Sequence, residues 1–422
     1  MDYKTLMNHS YKITFLASSL LLSGCFGEKV PPPSTVTCNE QAVGSYVEVA
    51  GSRYLVVDDV SVREPSNLAQ LAAGSLKYCT SHVTNMQDLF FTNKTFNQNI
   101  SNWDTSQVTD MGWMFHFAHA FNQPIGLWDV SKVKNMTSMF TRSAFNQPIG
   151  DWNTAQVTDM SGMFSDTSFN QDISRWNTSQ VQNMSVMFSD TRTFNQDISR
   201  WDTQNVTDMS YMFDSAAAFN QPIGNWNTSR VQFLSGMFSQ TKQFDQPIGE
   251  WDTAKVTKMD SMFDGASRFN QNIDQWDTAN VVDMNAMFME NPIFNQPIGG
   301  WDTSKVVDMK YMFWEAAAFN QPIGQWDTSN VKNMSFMFRS TKAFDQDLSQ
   351  WDVSQVTEMD FMFSDTKAFN QDISQWKINP DAYYLSMFAG ADAFNQDLSA
   401  WGIARSSLAL YPKELFGNKL LN

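Results

Sequence analysis

A single hydrophobic pattern repeats along most of the chain. Phe-Asn-Gln or Phe-Asp-Gln stands seven residues before a Trp, and a run close to Val-x-x-Met-x-x-Met-Phe follows that Trp. The Trp residues are spaced by 25 residues, or twice by 24, at 103, 128, 152, 176, 201, 226, 251, 276, 301, 326, 351, 376 and 401. Seven apolar side chains per copy cannot form a separate core, so the thirteen copies are predicted to stack as one solenoid.

Each copy has two parts when its Phe is numbered position 1 and the apolar residues fall at positions 1, 5, 8, 13, 16, 19 and 20. Positions 13 to 20, as in Val206, Met209 and Phe213, have the spacing of a short helical or 3-10 segment. Positions 1 to 8, as in Phe194 and Trp201, are separated by turn residues and favour a short strand. One such coil is therefore predicted per copy.

Two polar positions support the stacking. Asn fills position 2 in eleven of thirteen copies, and stacked Asn side chains are expected to hydrogen-bond from coil to coil. Pro stands at position 4 in several copies, and because Pro has no N–H, the backbone there is expected to lie outside the inter-coil ladder. The recurring columns are therefore interpreted as structural.

The regions outside the repeats predict an exported protein. Lys12 precedes a short apolar run that ends in Leu22-Ser23-Gly24-Cys25, the order of a secretory signal. This tetrapeptide resembles the lipobox of bacterial lipoproteins, and the resemblance implies that Cys25 takes a diacylglycerol; the alternative is an ordinary signal peptide that contains a Cys. An Asp after the lipidated Cys would resemble an inner-membrane retention signal, and residue 26 is Phe. The protein is therefore expected at the outer membrane if the organism has one, or otherwise at the cell surface.

Five segments are predicted. They are a lipoprotein signal peptide at 1–24, a Pro-rich tether at 25–37, an N-terminal cap at 38–82, the repeat solenoid at 83–401 and a C-terminal cap at 402–422. In the N-terminal cap, strand-forming residues on both sides of Ala50-Gly51-Ser52 predict a hairpin, and a helix is predicted to begin near Pro65 and to end at Gly74.

The remaining two cysteines, Cys38 and Cys79, are expected to form a disulfide in an oxidising compartment. Two buried free thiols are the alternative.

The chain has 44 acidic and 28 basic residues, and its net charge of −16 argues against sequence-independent binding to nucleic acid. A hydrophobic fraction of 42% excludes disorder for most of the chain.

No catalytic motif, cofactor or metal site is predicted. His116 and His119 could share one face and bind a metal with a third ligand, but a variable surface loop explains them better. The alternative function is a polysaccharide-active enzyme on a β-solenoid, which is disfavoured because clustered unique carboxylates are not evident. Ice binding through the Thr column that follows Trp-Asp is disfavoured by the flanking Asp and Ser residues.

Binding is expected where the copies differ. Position 18, the residue before Met-Phe, varies most, and the sequence predicts it to be exposed. It is aromatic in three consecutive coils, which at a coil spacing of about 4.8 Å gives one contiguous row. The ligand-binding candidates are Tyr311, Trp314, Phe336 and Phe361, with Trp113 and Phe117 as a second group. Such a row suits protein or glycan contact, and gap filling in the stack is the alternative.

The repeat Phe-Asn-Gln-Asp-Ile-Ser-x-Trp-Asp-Thr-Ser-x-Val-Thr-Asp-Met-Ser-x-Met-Phe resembles that of the BspA-like bacterial surface proteins, also found in mycoplasma lipoproteins, over about residues 80 to 401. The resemblance implies a leucine-rich-repeat-like, right-handed stack of about 13 coils and a role in surface attachment or binding, without catalytic residues. The expected protein is a monomeric, lipid-anchored scaffold or adhesin for an unknown protein or glycan.

Overall fold

The computed structural model describes residues 34–402, so the predicted signal peptide with Cys25, most of the tether and nearly all of the predicted C-terminal cap lie outside the described residues. The described part begins with a three-stranded sheet. Strands β1 (Tyr46–Val49) and β2 (Ser52–Asp58) form an antiparallel hairpin, and β3 (Tyr78–His82) pairs parallel with β2. Ala50 and Gly51 both have positive φ, as a two-residue hairpin turn requires.

One helix connects β2 to β3. After a 3-10 turn at Ser61–Arg63, helix α1 spans Pro65–Ala72, with Pro65 in the first turn, where its missing N–H has no cost. The Arg63 guanidinium donates hydrogen bonds to the carbonyl oxygens of Gln87, at 2.6 Å, and Asn85, at 3.1 Å. These bonds attach the N-terminal sheet and helix to the first coil.

The coil pattern begins earlier than residue 83. Tyr78 stands 25 residues before Trp103, and the two rings stack with centroids 6.0 Å apart. Strand β3 therefore supplies part of a coil in which Tyr replaces Trp. The sequence missed this coil because its marker residue differs.

The coils are joined by parallel pairing at position 15. Each residue in this column forms a bridge with the same position of the next coil, from Asn85 to Tyr383. Neighbouring positions extend the ladder: the N–H groups of Tyr311, Phe313 and Glu315 donate to carbonyl oxygens of the following coil at 2.9–3.0 Å. The chain is thus a repeat solenoid held by main-chain hydrogen bonds between coils.

The predicted secondary structure within each coil is wrong. Between residues 83 and 398 the coils contain turns and single-residue bridges in place of a strand and a helical segment. The bridges lie in the segment predicted to be helical. That segment cannot form a right-handed helix because positions 18 and 22 have positive φ, as at Tyr311 and Glu315. The last element of the described residues is a 3-10 turn at Ser399–Trp401.

The core consists of continuous columns of the seven predicted positions, which are buried throughout the stack apart from the last coil, where several are only partly covered. Trp326, for example, stacks between Trp301 and Trp351 at 6.5 and 6.4 Å. Its Nε1 donates to the carbonyl oxygen of Ile298 at 3.1 Å, so the buried indole has a partner. Every coil therefore repeats the same packing and supports its neighbours.

The Asn column makes the predicted coil-to-coil bonds. The side-chain oxygen of Asn220 accepts the N–H of Asp245 at 3.0 Å and the Nε2 of Gln246 at 2.9 Å. This side-chain ladder takes the place of main-chain pairing around positions 1 to 4, where Pro residues lack an N–H. The expectation that this backbone lies outside the ladder agrees with the structure.

Candidate functional site

The variable column at position 18 has an unusual backbone conformation in every described copy. All of its members have φ between +51° and +63°, including the β-branched Val186 and five aromatic residues. These residues are Asp88 in the coil of Tyr78 and, in the later coils, Trp113, Ser138, Gly162, Val186, Tyr211, Gly236, Ser261, Ala286, Tyr311, Phe336, Phe361 and Ser386. Residues other than Gly pay about 1–2 kcal/mol in this region. The backbone therefore favours Gly here and gives no reason for an aromatic side chain.

The predicted row forms a contiguous cluster, here called the C-terminal aromatic cluster: Tyr311, Trp314, Phe336 and Phe361. The Tyr311 ring lies 5.4 Å from that of Trp314 and 5.0 Å from that of Phe336, which stacks on Phe361 at 4.9 Å. All four side chains are half-buried. The expectation of an exposed row is therefore wrong, because neighbouring rings of one column cover each other's faces.

Arg339 lies at the centre of this cluster. Its guanidinium carbon is 5.5–5.7 Å from the ring centroids of Trp314, Phe336 and Phe361. Lys310 lies 4.6 Å from the centroid of the Tyr311 ring. Neither cation is among the residues predicted from the sequence, although Arg339 occupies the same coil position as Trp314, one copy later.

Three buried polar atoms in and beside the cluster have no hydrogen-bond partner within residues 34–402. They are Nε1 of Trp314, Oγ of Ser335 and Nε of Arg339. Buried polar groups in native proteins are nearly always paired, and an unpaired one costs about 1–3 kcal/mol. Three such atoms on two adjacent coils mark this as the least satisfied polar region near the variable column.

The second predicted group also exists and is larger than expected. Trp113 and Phe117 contact His116, with ring centroids 4.6 and 4.5 Å away, and Phe91 stacks on His116 at 5.3 Å. Phe91 and Trp113 are 44% and 36% exposed, more than any ring of the C-terminal aromatic cluster. Phe91 could have been found because it stands 25 residues before His116.

His116 is a buried residue of this group and does not lie on a surface loop as expected, whereas His119 is exposed. Burial lowers the pKa of His116, and the charge of Arg142 lowers it further. Its Nδ1 has no hydrogen-bond partner among the residues that the structure describes. In the described part of the chain, no group of three or more His, Cys, Asp or Glu residues is placed to hold a metal ion.

Between the two groups the same face is acidic. Burial raises the pKa of Asp264 to about 6, and the Glu290 carboxylate adds to the rise while a hydrogen bond from Gln240 opposes it. Burial also raises the pKa of Asp214. The single aromatic residue here, Tyr211, is 39% exposed because a Gly follows it in the column.

The remaining sequence candidates are resolved as follows. Cys38 and Cys79 are joined by a disulfide with Cα atoms 6.3 Å apart. The Thr column is buried, and Thr328, for example, donates its hydroxyl to the carbonyl oxygen of Asp352 at 2.9 Å. That burial excludes the Thr column as an ice-binding face. No helix among residues 34–402 has the length and apolar character needed to cross a bilayer.

The structure thus defines a repeat solenoid with two aromatic groups on one variable face. The family described as mycoplasma protein of unknown function, DUF285, matches residues 66–172, 142–249, 232–329 and 318–411. These matches cover most of the chain, so the chain belongs to this family. Its first match begins before residue 83, in agreement with the early coil that contains Tyr78.

Other comparisons add little. No curated protein matches the chain. Among solved structures, a chain of the crystal structure of the TLR13–ssRNA13 complex is 8% identical, with a TM-score of 0.19. The alignment covers 85% of this chain and 56% of that chain. A similarity this weak carries no argument about fold or ligand.

Proposed function

We propose that this protein is an exported, lipid-anchored binding scaffold, similar in role to the BspA-like surface proteins, and that the variable column carries its ligand contacts. The main observation behind this proposal is the positive φ at position 18. Aromatic residues stand there in five coils although Gly suits the backbone better. A cost that the fold does not require indicates a role outside the fold. The proposal includes a right-handed, leucine-rich-repeat-like stack of about 13 coils with terminal caps.

Replacing the C-terminal aromatic cluster tests the binding surface. The variant Tyr311→Ser, Trp314→Ser, Phe336→Ser, Phe361→Ser is expected to remain folded and to lose partners that the full wild-type chain captures from host or cell-wall extracts. A matched control is Val282→Ser with Val307→Ser, which removes two exposed apolar side chains from position 14 of nearby coils. The control is expected to capture the same partners as the wild type.

The stability of the fourfold variant separates binding from packing. If it unfolds as readily as Trp326→Ala, a core variant, the aromatic row is structural. If it stays folded and captures partners at wild-type strength, the contact surface lies elsewhere, and the group around Trp113 and Phe117 becomes the next surface to test.

The lipid anchor is proposed from the sequence Leu22-Ser23-Gly24-Cys25, and Phe26 supports transport to the outer membrane or cell surface. A covalently attached lipid supplies membrane affinity that the described chain has no helix to provide. The intact mass of the native protein is expected to correspond to a chain that begins at a diacylglycerol-modified Cys25. An unmodified Cys25 would refute the anchor without affecting the proposed binding surface.

A further inference from the structure

Arg339 has no anionic partner although the protein is rich in acids. The chain has 44 acidic and 28 basic residues, yet the Arg339 side chain makes no hydrogen bond and no ion pair within residues 34–402. Arg142, on the same face, donates to the Asp166 carboxylate at 2.8 Å. Arg339 instead packs on the rings of the C-terminal aromatic cluster, which hold the guanidinium in place.

Acidic residues on the neighbouring coils leave Arg339 unpaired. Glu315, Asp360 and Asp365 belong to the same or adjacent coils, and none lies within the 4.0 Å of an ion pair. Asp360 is engaged in accepting the backbone N–H of Leu385 at 2.7 Å. None of the five N–H donors of the guanidinium therefore has an acceptor within residues 34–402, and its buried Nε and the buried Nε1 of Trp314 are both unpaired.

The unpaired guanidinium of Arg339 favours an anion over an apolar or sugar ligand. Phe336 and Phe361 stack with an interplanar angle of 15°, so each ring covers one face of the other. A sugar would stack on an uncovered ring face, whereas a carboxylate pairs with the guanidinium through charge-assisted hydrogen bonds.

We propose that the C-terminal aromatic cluster binds a carboxylate of an acidic polypeptide segment. Arg339 would donate paired hydrogen bonds to that carboxylate, and an apolar side chain beside it would pack on Tyr311 and Trp314. This inference rests on the proposed binding function and names the partner's chemistry. Arg339 and Lys310, which lie against rings of the cluster, are the cations that such a carboxylate would meet.

Phage display on the full chain tests this proposal. A library of random 12-residue peptides is selected on the wild-type protein and counter-selected on Arg339→Gln. The selected peptides are expected to contain Asp or Glu next to an apolar residue. A synthetic consensus peptide should bind at least about tenfold more weakly to Arg339→Gln, or when its acid is changed to the amide, because a hydrogen bond to a charged group is lost.

Arg142→Gln is the matched control, because it removes an equal charge from the same face that Asp166 already neutralises. It is expected to change peptide affinity less than twofold. Selected peptides without acidic residues, or equal binding to wild type and Arg339→Gln, would overturn the proposal. The proposal would also be overturned if oligogalacturonate, an acidic glycan, bound in an Arg339-dependent way and no peptide bound in that way.

The two proposals fail in distinguishable ways. If the fourfold Ser variant loses its partners while Arg339→Gln keeps them, the binding surface stands and the carboxylate assignment is wrong. If the fourfold variant keeps its partners, the proposed surface itself is wrong.

Discussion

The positive φ at position 18 predicts a reversal of the usual order of stability between Ala and Gly variants. At most positions Gly is less stable than Ala by about 0.5–1 kcal/mol. At φ +62°, the value of Phe336, an Ala side chain instead lowers the stability by about 1–2 kcal/mol relative to Gly, because only Gly adopts this conformation without steric strain. Phe336→Gly should therefore be more stable than Phe336→Ala by about 1 kcal/mol.

The comparison with wild type has a defined magnitude as well. Truncating the half-buried Phe336 ring loses about 1 kcal/mol, half the value of a fully buried side chain. Relief of the backbone cost offsets that loss in Phe336→Gly, which should unfold within about 1 kcal/mol of wild type. Phe336→Ala has no such relief and should lie about 1 kcal/mol or more below wild type.

Urea unfolding followed by circular dichroism measures the midpoints of both variants under identical conditions. The matched pair is Val282→Gly and Val282→Ala, at a partly exposed position where φ is not positive. There the Ala variant should be the more stable one. If Phe336→Ala matches or exceeds Phe336→Gly while the Val282 pair keeps its usual order, the conformation assigned to the column is wrong.

Three further predictions concern the core, a buried carboxyl group and the disulfide. Trp326→Ala should destabilise the protein by about 3–5 kcal/mol through its cavity, measured by the same unfolding assay. The pKa of Asp264 in the folded protein, about 6, lies above the ordinary value of 3.8, so the stabilising contribution of its protonated form is lost as the pH rises between these values. Asp264→Asn should therefore raise the unfolding midpoint more at pH 7.5 than at pH 4.5. Equal gains at the two pH values would contradict the raised pKa. Thiol titration of the oxidised protein should find neither Cys38 nor Cys79 free, and their reduction should cost about 3–4 kcal/mol.

The sequence predicts the core of this solenoid well because stacking repeats identical side chains. The Trp, Phe and Met columns and the Asn ladder follow from a period of 25 residues alone, since every copy meets the same neighbours. The hairpin and helix of the N-terminal region are predicted from local turn signals. Tyr78 escapes notice because it performs the role of Trp with a different ring.

The backbone conformation at positions 18 and 22 is difficult to predict from the sequence, because one spacing of apolar residues fits two different structures. Val, Met, Met and Phe at intervals of three, three and one fit a helical segment, but they also fit turns joined by hydrogen bonds to the next coil. Gly162 and Gly236 at position 18, with Gly265 and Gly390 at position 22, are the sequence signal for positive φ. Four glycines among mostly other residues are easily read as ordinary variation.

The exposure of the candidate site depends on which residue follows in the column. Tyr211 is 39% exposed above Gly236, whereas Tyr311 is half-buried beside Phe336. A single aromatic residue in the column is therefore exposed, whereas consecutive aromatic residues cover one another. The sequence shows which copies carry aromatic residues, but only the distance between coils shows that neighbouring rings must touch. The unpaired N–H donors of Arg339 can be recognised only from side-chain geometry, which the sequence pattern does not contain.

The variable column contributes to the fold through its backbone and leaves its side chains free to change. Gly236 donates its N–H to the next coil at 2.8 Å and Tyr311 does so at 3.0 Å, so the inter-coil bond is the same with or without a ring. Because the seven core columns supply the burial, a substitution at position 18 changes the surface at little cost to the stack. A repeat protein built this way can acquire a binding surface on any run of coils while its core remains unchanged, and the two aromatic groups near opposite ends of this chain agree with that expectation.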